Sequence, residues 1–309
     1  MNIQQLRFIA ELAHQDLHVS KVADMLHVSQ PSVSTQVRLL EEELELTIFS
    51  RKRNRLAAVT PVGNEIIRRA RRVLLELDEI RQMARAHSSD DRGTLTIAAS
   101  HAQARFRLPR VLRQFVDRYP QVRVTIRPEN GPNILDALRE GEADIGVLSS
   151  AGDPGGDLIS IPFHAYRRIL LTEPGHPLLD VSRPTLDDIS RYPLVMYESA
   201  QAGSEAFRIL TELSARAPSV LQGTNADVVK AYVEQGLGVT ILPELVFDPE
   251  RDAGLRAVDA SHLVPPSTTY AVLNRKHYLR GYSYAFLEIL SPSITRKTVE
   301  AHTHAGLPE

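Results

Sequence analysis

Two groups of side chains have the types and spacing to do chemistry. In the first, Gln30, Pro31, Ser32, Ser34, Thr35, Gln36 and Arg38 open the stretch SQPSVSTQVRLLEEELEL, and the basic cluster Arg51, Lys52 and Arg53 follows in SRKRN. Short amide and hydroxyl side chains hydrogen-bond to base edges, while guanidinium and ammonium groups neutralise phosphates or enter a minor groove. Polar residues that open a helix commonly do no more than cap it, and a basic loop is commonly only solvated. Both in this order point to double-stranded DNA. The second group closes a series of apolar stretches: Ser100, His101 and Gln103 at TLTIAAS, Ser149 at ADIGVLSS, Tyr197 and Ser199 at PLVMYES, and Thr224 and Asn225 after SVLQG. Neutral hydroxyl and amide groups beside the free amides of helix starts suit a small anion, or a zwitterion with an anionic group. Each alone is most simply an N-cap; convergence of four strand ends carries the reading.

Catalytic chemistry has less support. No G-x-S-x-G or P-loop occurs, and QGLGVTI holds two of the three glycines of a dinucleotide fingerprint. A lone histidine after a strand, as His101 is, is more often a hydrogen-bonded structural residue than a catalyst. His302 and His304 lie in a polar tail suited only to adventitious metal binding. The chain has no cysteine, which removes thiolate zinc sites and cysteine nucleophiles. No enzyme, cofactor or metal site is expected.

The elements that must position the first group are helical. Ile3, Leu6, Phe8, Ile9, Leu12 and Ala13 recur at helical spacing, and Val22, Ala23 and Leu26 mark a second short helix over 19–26. After a tight connection, Pro31 suits an early helical position, with Val33, Val37, Leu40 and Leu44 facing inward. Two short helices and a third with an exposed polar start make a helix-turn-helix. Residues 47–49 and 55–59 then pair around SRKRN as a wing. Thr60-Pro61 starts a long helix whose apolar positions Val62, Ile66, Ala70, Val73, Leu77, Ile80 and Ala84 approximate a heptad seam. At 1.5 Å rise per residue it is a rod of roughly 40 Å, which most simply pairs with its twin.

The second group needs an α/β body. Short strands alternate with helices from Thr94 onward, as in a parallel-sheet α/β fold. Two series, with crossings near 164 and 266, describe a hinged clamshell that closes on a ligand. The expected boundaries are 1–59 for the winged helix-turn-helix, 60–88 for the linker helix, and 93–309 for the ligand-binding domain. Lobe I takes 93–163 and 267–309, and lobe II takes 164–266.

Charge agrees with this division. The 309 residues carry a net charge of -2, but residues 46–72 hold +7, a basic module on a mildly acidic body. The start lacks a signal-peptide pattern and no apolar run reaches membrane-span length. A soluble cytoplasmic chain is expected.

The segments LRFIAELA, VADMLHVSQPSVSTQVRLLEEELELTIFSR, VTPVG, EGEADIGV and VEQGLGVTILPE resemble the LysR-type transcriptional regulators over essentially the whole chain. ASHAQARFRLP, FVDRYPQV, NADVVKAYVEQGLGV and LRGYSYAFLEILSPSITRKTV are similar to its CysB and Cbl branch, which regulates sulfur assimilation and sulfonate use. The resemblance implies a periplasmic-binding-protein-like effector domain and a homodimer or homotetramer on palindromic promoter DNA. It also implies RNA polymerase as an expected partner. It implies a sulfate or acetylated-serine pocket at Ser100, Gln103, Ser149 and Thr224. Ala102 and Ala202 stand where the branch carries threonines. Each missing hydroxyl removes an anion hydrogen bond worth about 1.5–3 kcal/mol, and the vacated volume suits a larger organosulfur effector. The alternatives are a regulator of another LysR branch sensing a carboxylate catabolite, and a solute-binding or enzymatic α/β protein whose N-terminal helices only oligomerise.

Overall fold

The computed structural model describes residues 1–52, 55–86, 91–149, 153–197 and 204–304. The chain divides into two compact units, N-terminal and C-terminal.

The N-terminal unit begins with α1 (Ile3–His14), whose cap is reciprocal: Asn2 Oδ1 accepts from Gln5 N–H, and Gln5 Oε1 accepts from Asn2 N–H. Helix α2 (Val19–Met25) and α3 (Gln30–Glu43) follow, with Ser29 capping α3 and Pro31 in its first turn. Strands β1 (Phe49–Lys52) and β2 (Arg55–Val59) pair antiparallel with an irregularity between Ser50 and Arg51. The wing starts later than its β-rich residues predict, because Glu41 already holds the N–H groups of Ile48 and Phe49. Helix α4 (Pro61–Ala86) is capped by Thr60, whose Oγ1 accepts from Gly63 N–H at 2.9 Å. A Cβ on Gly63 would collide with the Ile48 carbonyl, so glycine lets α4 seat against the wing. Phe8, Ile9, Leu12, Val37, Leu40, Phe49, Ile67 and Ala70 form one buried cluster.

Lobe I of the C-terminal unit is a five-stranded sheet in the order β4-β3-β5-β12-β6. Its members are β3 (Gly93–Ala99), β4 (Val122–Pro128), β5 (Ile145–Ser149), β6 (Leu158–Tyr166) and β12 (Ser267–Asn274). A π-helical turn at Gln103–Arg107 leads into α5 (Leu108–Arg118), followed after β4 by α6 (Gly131–Arg139). Alternate strand residues divide between the faces. Leu95 and Ile97 pack with Phe115 of α5 and Phe286 of α10 (Gly281–Leu290), whereas Ala98 and Leu148 pack with Ile134 and Leu138 of α6. Helix α11 (Arg296–His304) ends the described chain.

Lobe II joins β10 (Thr240–Pro243), β7 (Arg168–Thr172) and β11 (Arg256–Asp259) to a parallel pair, β8 (Leu194–Tyr197) and β9 (Val220–Gly223), through a bridge at Leu194 and Val239. Helices α7 (Leu186–Ile189) and α8 (Glu205–Arg216) pack on Leu170 and Ile241, while α9 (Ala226–Glu234) packs on Leu171 and Leu242.

The sheets are mixed where the sequence pattern predicts parallel pairing. Strand β12 is antiparallel to both β5 and β6, and β7 is antiparallel to both its neighbours. Chain that returns from one lobe to the other enters the first sheet from its opposite end. Two of these strands have no sequence signal. Pro162 interrupts β6, and the structure places it on an edge strand at a register irregularity, where proline is tolerated. Strand β11 is short and mostly exposed, so it lacks an apolar pattern.

Candidate functional site

On the N-terminal unit, Gln30, Pro31, Ser34, Thr35 and Arg38 are exposed along the first turns of α3, with Ser32 and Gln36 half-buried beside them. Val33, Val37 and Leu40 on the opposite face are fully buried, which fixes the helix with its polar face outward. Ser29 Oγ accepts from Ser32 N–H at 3.3 Å, so the cap falls to Ser29 and the side chains after it face solvent. Arg38 lies 3.5 Å from Glu42.

Lys52 is exposed on the wing, and Arg53 lies outside the described residues. Arg51 has a role that the sequence did not reveal. Its Nη2 lies 2.6 Å from Glu41 Oε2, and the other oxygen of Glu41 accepts from Ile48 and Phe49 N–H at 2.8 and 3.0 Å. Glu41 is only 8% exposed. Its buried carboxylate therefore ties the end of α3 to the wing, and Arg51 positions the wing besides presenting charge.

In the C-terminal unit, a cavity of about 400 Å³ opens between the lobes. His101, Ala102, Ala104, Arg105, Phe106, Ile126 and Pro128 line it from lobe I, and Asn225, Ala226 and Asp227 from lobe II. Of the expected effector residues, His101, Ala102 and Asn225 line this cavity; Ser100, Gln103, Ser149, Tyr197 and Thr224 are not among its lining groups. Ser199 and Ala202 lie outside the described residues. Asn225 Oδ1 caps α9 by accepting from Val228 N–H at 2.9 Å, so for this oxygen the capping role holds.

Ser100, Gln103 and Ser149 all belong to lobe I, the two serines half-buried. Ser100 donates its N–H to the Val147 carbonyl and accepts from Ala104 N–H, each at 2.9 Å. Gln103 is fully buried and donates from Nε2 to Thr269 Oγ1 at 3.1 Å, and Thr269 stands opposite Ser149 across β12 and β5. Gln103 Oε1 is buried without a hydrogen-bond partner among the described residues, which is uncommon for a buried amide. Tyr197 is half-buried, and burial pushes its phenol above the usual range. Thr224 is exposed.

Several residues escaped sequence reasoning. Thr269 lies in β12, just ahead of its apolar run. Arg105 and Asp227 face each other with Nε 3.3 Å from Oδ2, one from each lobe. Phe106 lies against Lys230, whose Nζ is 4.9 Å from the ring centroid. The signals existed in QARFR and NADVVK, but Asp227 reads as an ordinary acid in a helix's first turn, and the pairing is a tertiary fact. Among the described residues, no group of three or more His, Asp and Glu is placed to hold a metal, and no helix is long and apolar enough to cross a membrane.

Comparison with known proteins gives these two units a common setting. Residues 3–64 match the bacterial regulatory helix-turn-helix protein model of the lysR family, and residues 88–293 match the LysR substrate binding domain. The HTH-type transcriptional regulator SsuR of Burkholderia cenocepacia is 36% identical over 300 residues, 97% of each chain. The HTH-type transcriptional regulator CysB of Haemophilus influenzae is 38% identical over 301 residues, 97% of this chain and 93% of that one. The crystal structure of the cofactor-binding domain of the Cbl transcriptional regulator is 30% identical with a TM-score of 0.65, covering 71% of this chain and 96% of its own. Since the substrate-binding model alone spans well over half the sequence and these regulators match it nearly end to end, the chain belongs to the LysR family of bacterial DNA-binding transcriptional regulators.

Proposed function

We propose that this regulator controls genes of sulfur assimilation or organosulfur use, and that a small anionic effector bound between the lobes sets its state on promoter DNA. The observation that carries the reading is the cavity of about 400 Å³ at the N-terminus of α9, within the size range of small-molecule sites and at the end of a helix whose dipole favours negative charge. The near full-length similarity to SsuR and CysB supports the sulfur branch. Ala102 contributes only a methyl group to the cavity wall, which favours an organosulfur effector over sulfate.

The DNA-facing residues in this reading are Gln30, Pro31, Ser32, Ser34, Thr35, Gln36 and Arg38 of α3, with Arg51, Lys52 and Arg53 of the wing. Pairing of α4 with a second copy sets two recognition helices on two half-sites, as a dimer or a pair of dimers. The protein acts in the cytoplasm by binding, without catalysis, and RNA polymerase is its downstream contact.

The test joins two measurements on the full chain. A gel shift with the gene's own upstream DNA is expected to show specific binding that weakens steeply with salt. Thermal-shift screening against sulfate, O-acetylserine, N-acetylserine, sulfonates and aromatic acids is expected to raise the Tm with a sulfur compound or acetylated serine. Stabilisation by aromatic acids alone moves the protein to a carboxylate-sensing branch.

A further inference from the structure

The cavity between the lobes is bipolar, a property that its expected neutral lining does not have. Arg105 comes from the π-helical turn of lobe I and Asp227 from the first turn of α9 in lobe II, and both line the cavity. Their side chains meet at 3.3 Å while remaining 56% and 50% exposed. An ion pair this accessible contributes little to stability and separates readily. Asp227 has a second cationic neighbour, which it shares with another acid. Lys230 Nζ lies 3.5 Å from Asp227 Oδ1, but it is held more closely by both oxygens of Asp252, at 2.9 and 3.0 Å, and by the Val246 carbonyl at 2.9 Å. Ala102, Phe106, Ile126 and Pro128 supply an apolar remainder.

We propose that Arg105 and Asp227 are a specificity device that selects zwitterionic ligands, amino acids or aminosulfonates, over simple anions. The proposal rests on the reading of this cavity as the effector site. A ligand carrying both an acid and an amino group exchanges one exposed ion pair for two. Its carboxylate or sulfonate takes the planar donors of Arg105, and its ammonium takes Asp227. An anion without an amine removes Arg105 from Asp227 and leaves two negative charges facing each other in one cavity. That repulsion is the discriminating element. The π-helical turn serves this geometry, because its extra residue rephases the side chains where the turn meets the opposite lobe.

The test is isothermal titration of the full chain with two pairs of probes: taurine against ethanesulfonate, which differ only in the amine, and O-acetylserine against its isomer N-acetylserine, in which the acetyl group sits on the nitrogen and removes its charge. The amine-bearing member of each pair is expected to bind at least about tenfold more tightly. Asp227→Asn is expected to bring the members within about twofold by weakening the amine-bearing probe, Asp227→Glu to keep the preference, and Arg105→Gln to weaken all four. Thermal unfolding of each variant reports that the fold is kept. Equal affinities within each wild-type pair, or a preference that survives in Asp227→Asn, would overturn the proposal while leaving the cavity as an effector site. Absence of binding by all four probes overturns both.

Discussion

At the wing, Arg51 directs one guanidinium nitrogen to the buried carboxylate of Glu41, whereas Lys52 beside it stands exposed. Basic residues in one short run therefore differ in role. Lys52→Ala is expected to flatten the dependence of log affinity on log salt by about one unit, read by fluorescence anisotropy across a salt series. An unchanged slope would remove Lys52 from phosphate contact. Glu41→Ala leaves the N–H groups of Ile48 and Phe49 buried without an acceptor, at roughly 1–3 kcal/mol each. Its expected signature is a lower unfolding midpoint of the N-terminal unit, with DNA affinity lost along with it. Arg51→Ala mixes the two effects, so a fall in affinity there does not by itself count a phosphate contact.

Helix α4 makes the same point at the scale of an element. Its apolar positions read as one seam, but the structure divides them. Ile67 and Ala70 are buried against the winged core, with Ile66 and Leu74 partly so, while Val62, Val73 and Ile80 are 46%, 45% and 62% exposed. A helix that serves its own domain on one side and a second copy on another needs a wider apolar stripe than a coiled-coil seam. Ile67→Ala is expected to destabilise the N-terminal unit by about 2–5 kcal/mol, through the lost burial and the cavity it leaves. Ile80→Lys is expected to leave the fold intact and weaken self-association, as sedimentation velocity would show. If Ile80→Lys sediments as the wild type does, the outer face of α4 is not the dimer contact.

For the C-terminal unit as a whole, the lobes are joined by more than two crossing strands. Ala102 and Phe106 of lobe I pack against the lobe II cluster of Ala226, Val229 and Val246. Lys230 sits under the Phe106 ring with its amine on Asp252 and the Val246 carbonyl. Side-chain exposures of 10% and 14% make Lys230 and Asp252 a largely buried pair. Lys230→Met strips the buried carboxylate of its partner, at about 3–5 kcal/mol. Urea unfolding of this variant should show a lower midpoint for the C-terminal unit and weaker effector binding, since α9 supplies both the lysine and the cavity wall. A midpoint equal to the wild type would mean that Asp252 is satisfied without the lysine.

The helix-turn-helix, the wing and the long helix were legible in the sequence because their signals are local: a 3.6-residue apolar period, a proline in a first turn, a hydroxyl or amide cap. The family was legible for the same reason, through contiguous motifs such as SQPSVS and EGEADIGV. Strand β6 was not, since Pro162 hides an edge strand that only its pairing with β12 reveals. Nor do strand ends alone say which of the expected effector residues meet. Asn225 is there as a cap, Gln103 is turned inward to Thr269, and the charged pair in the cavity comes from residues 122 positions apart. Residue type determined what each group can bind. Which groups meet was decided by the closure of two lobes, through contacts between residues far apart in the chain that no local pattern records.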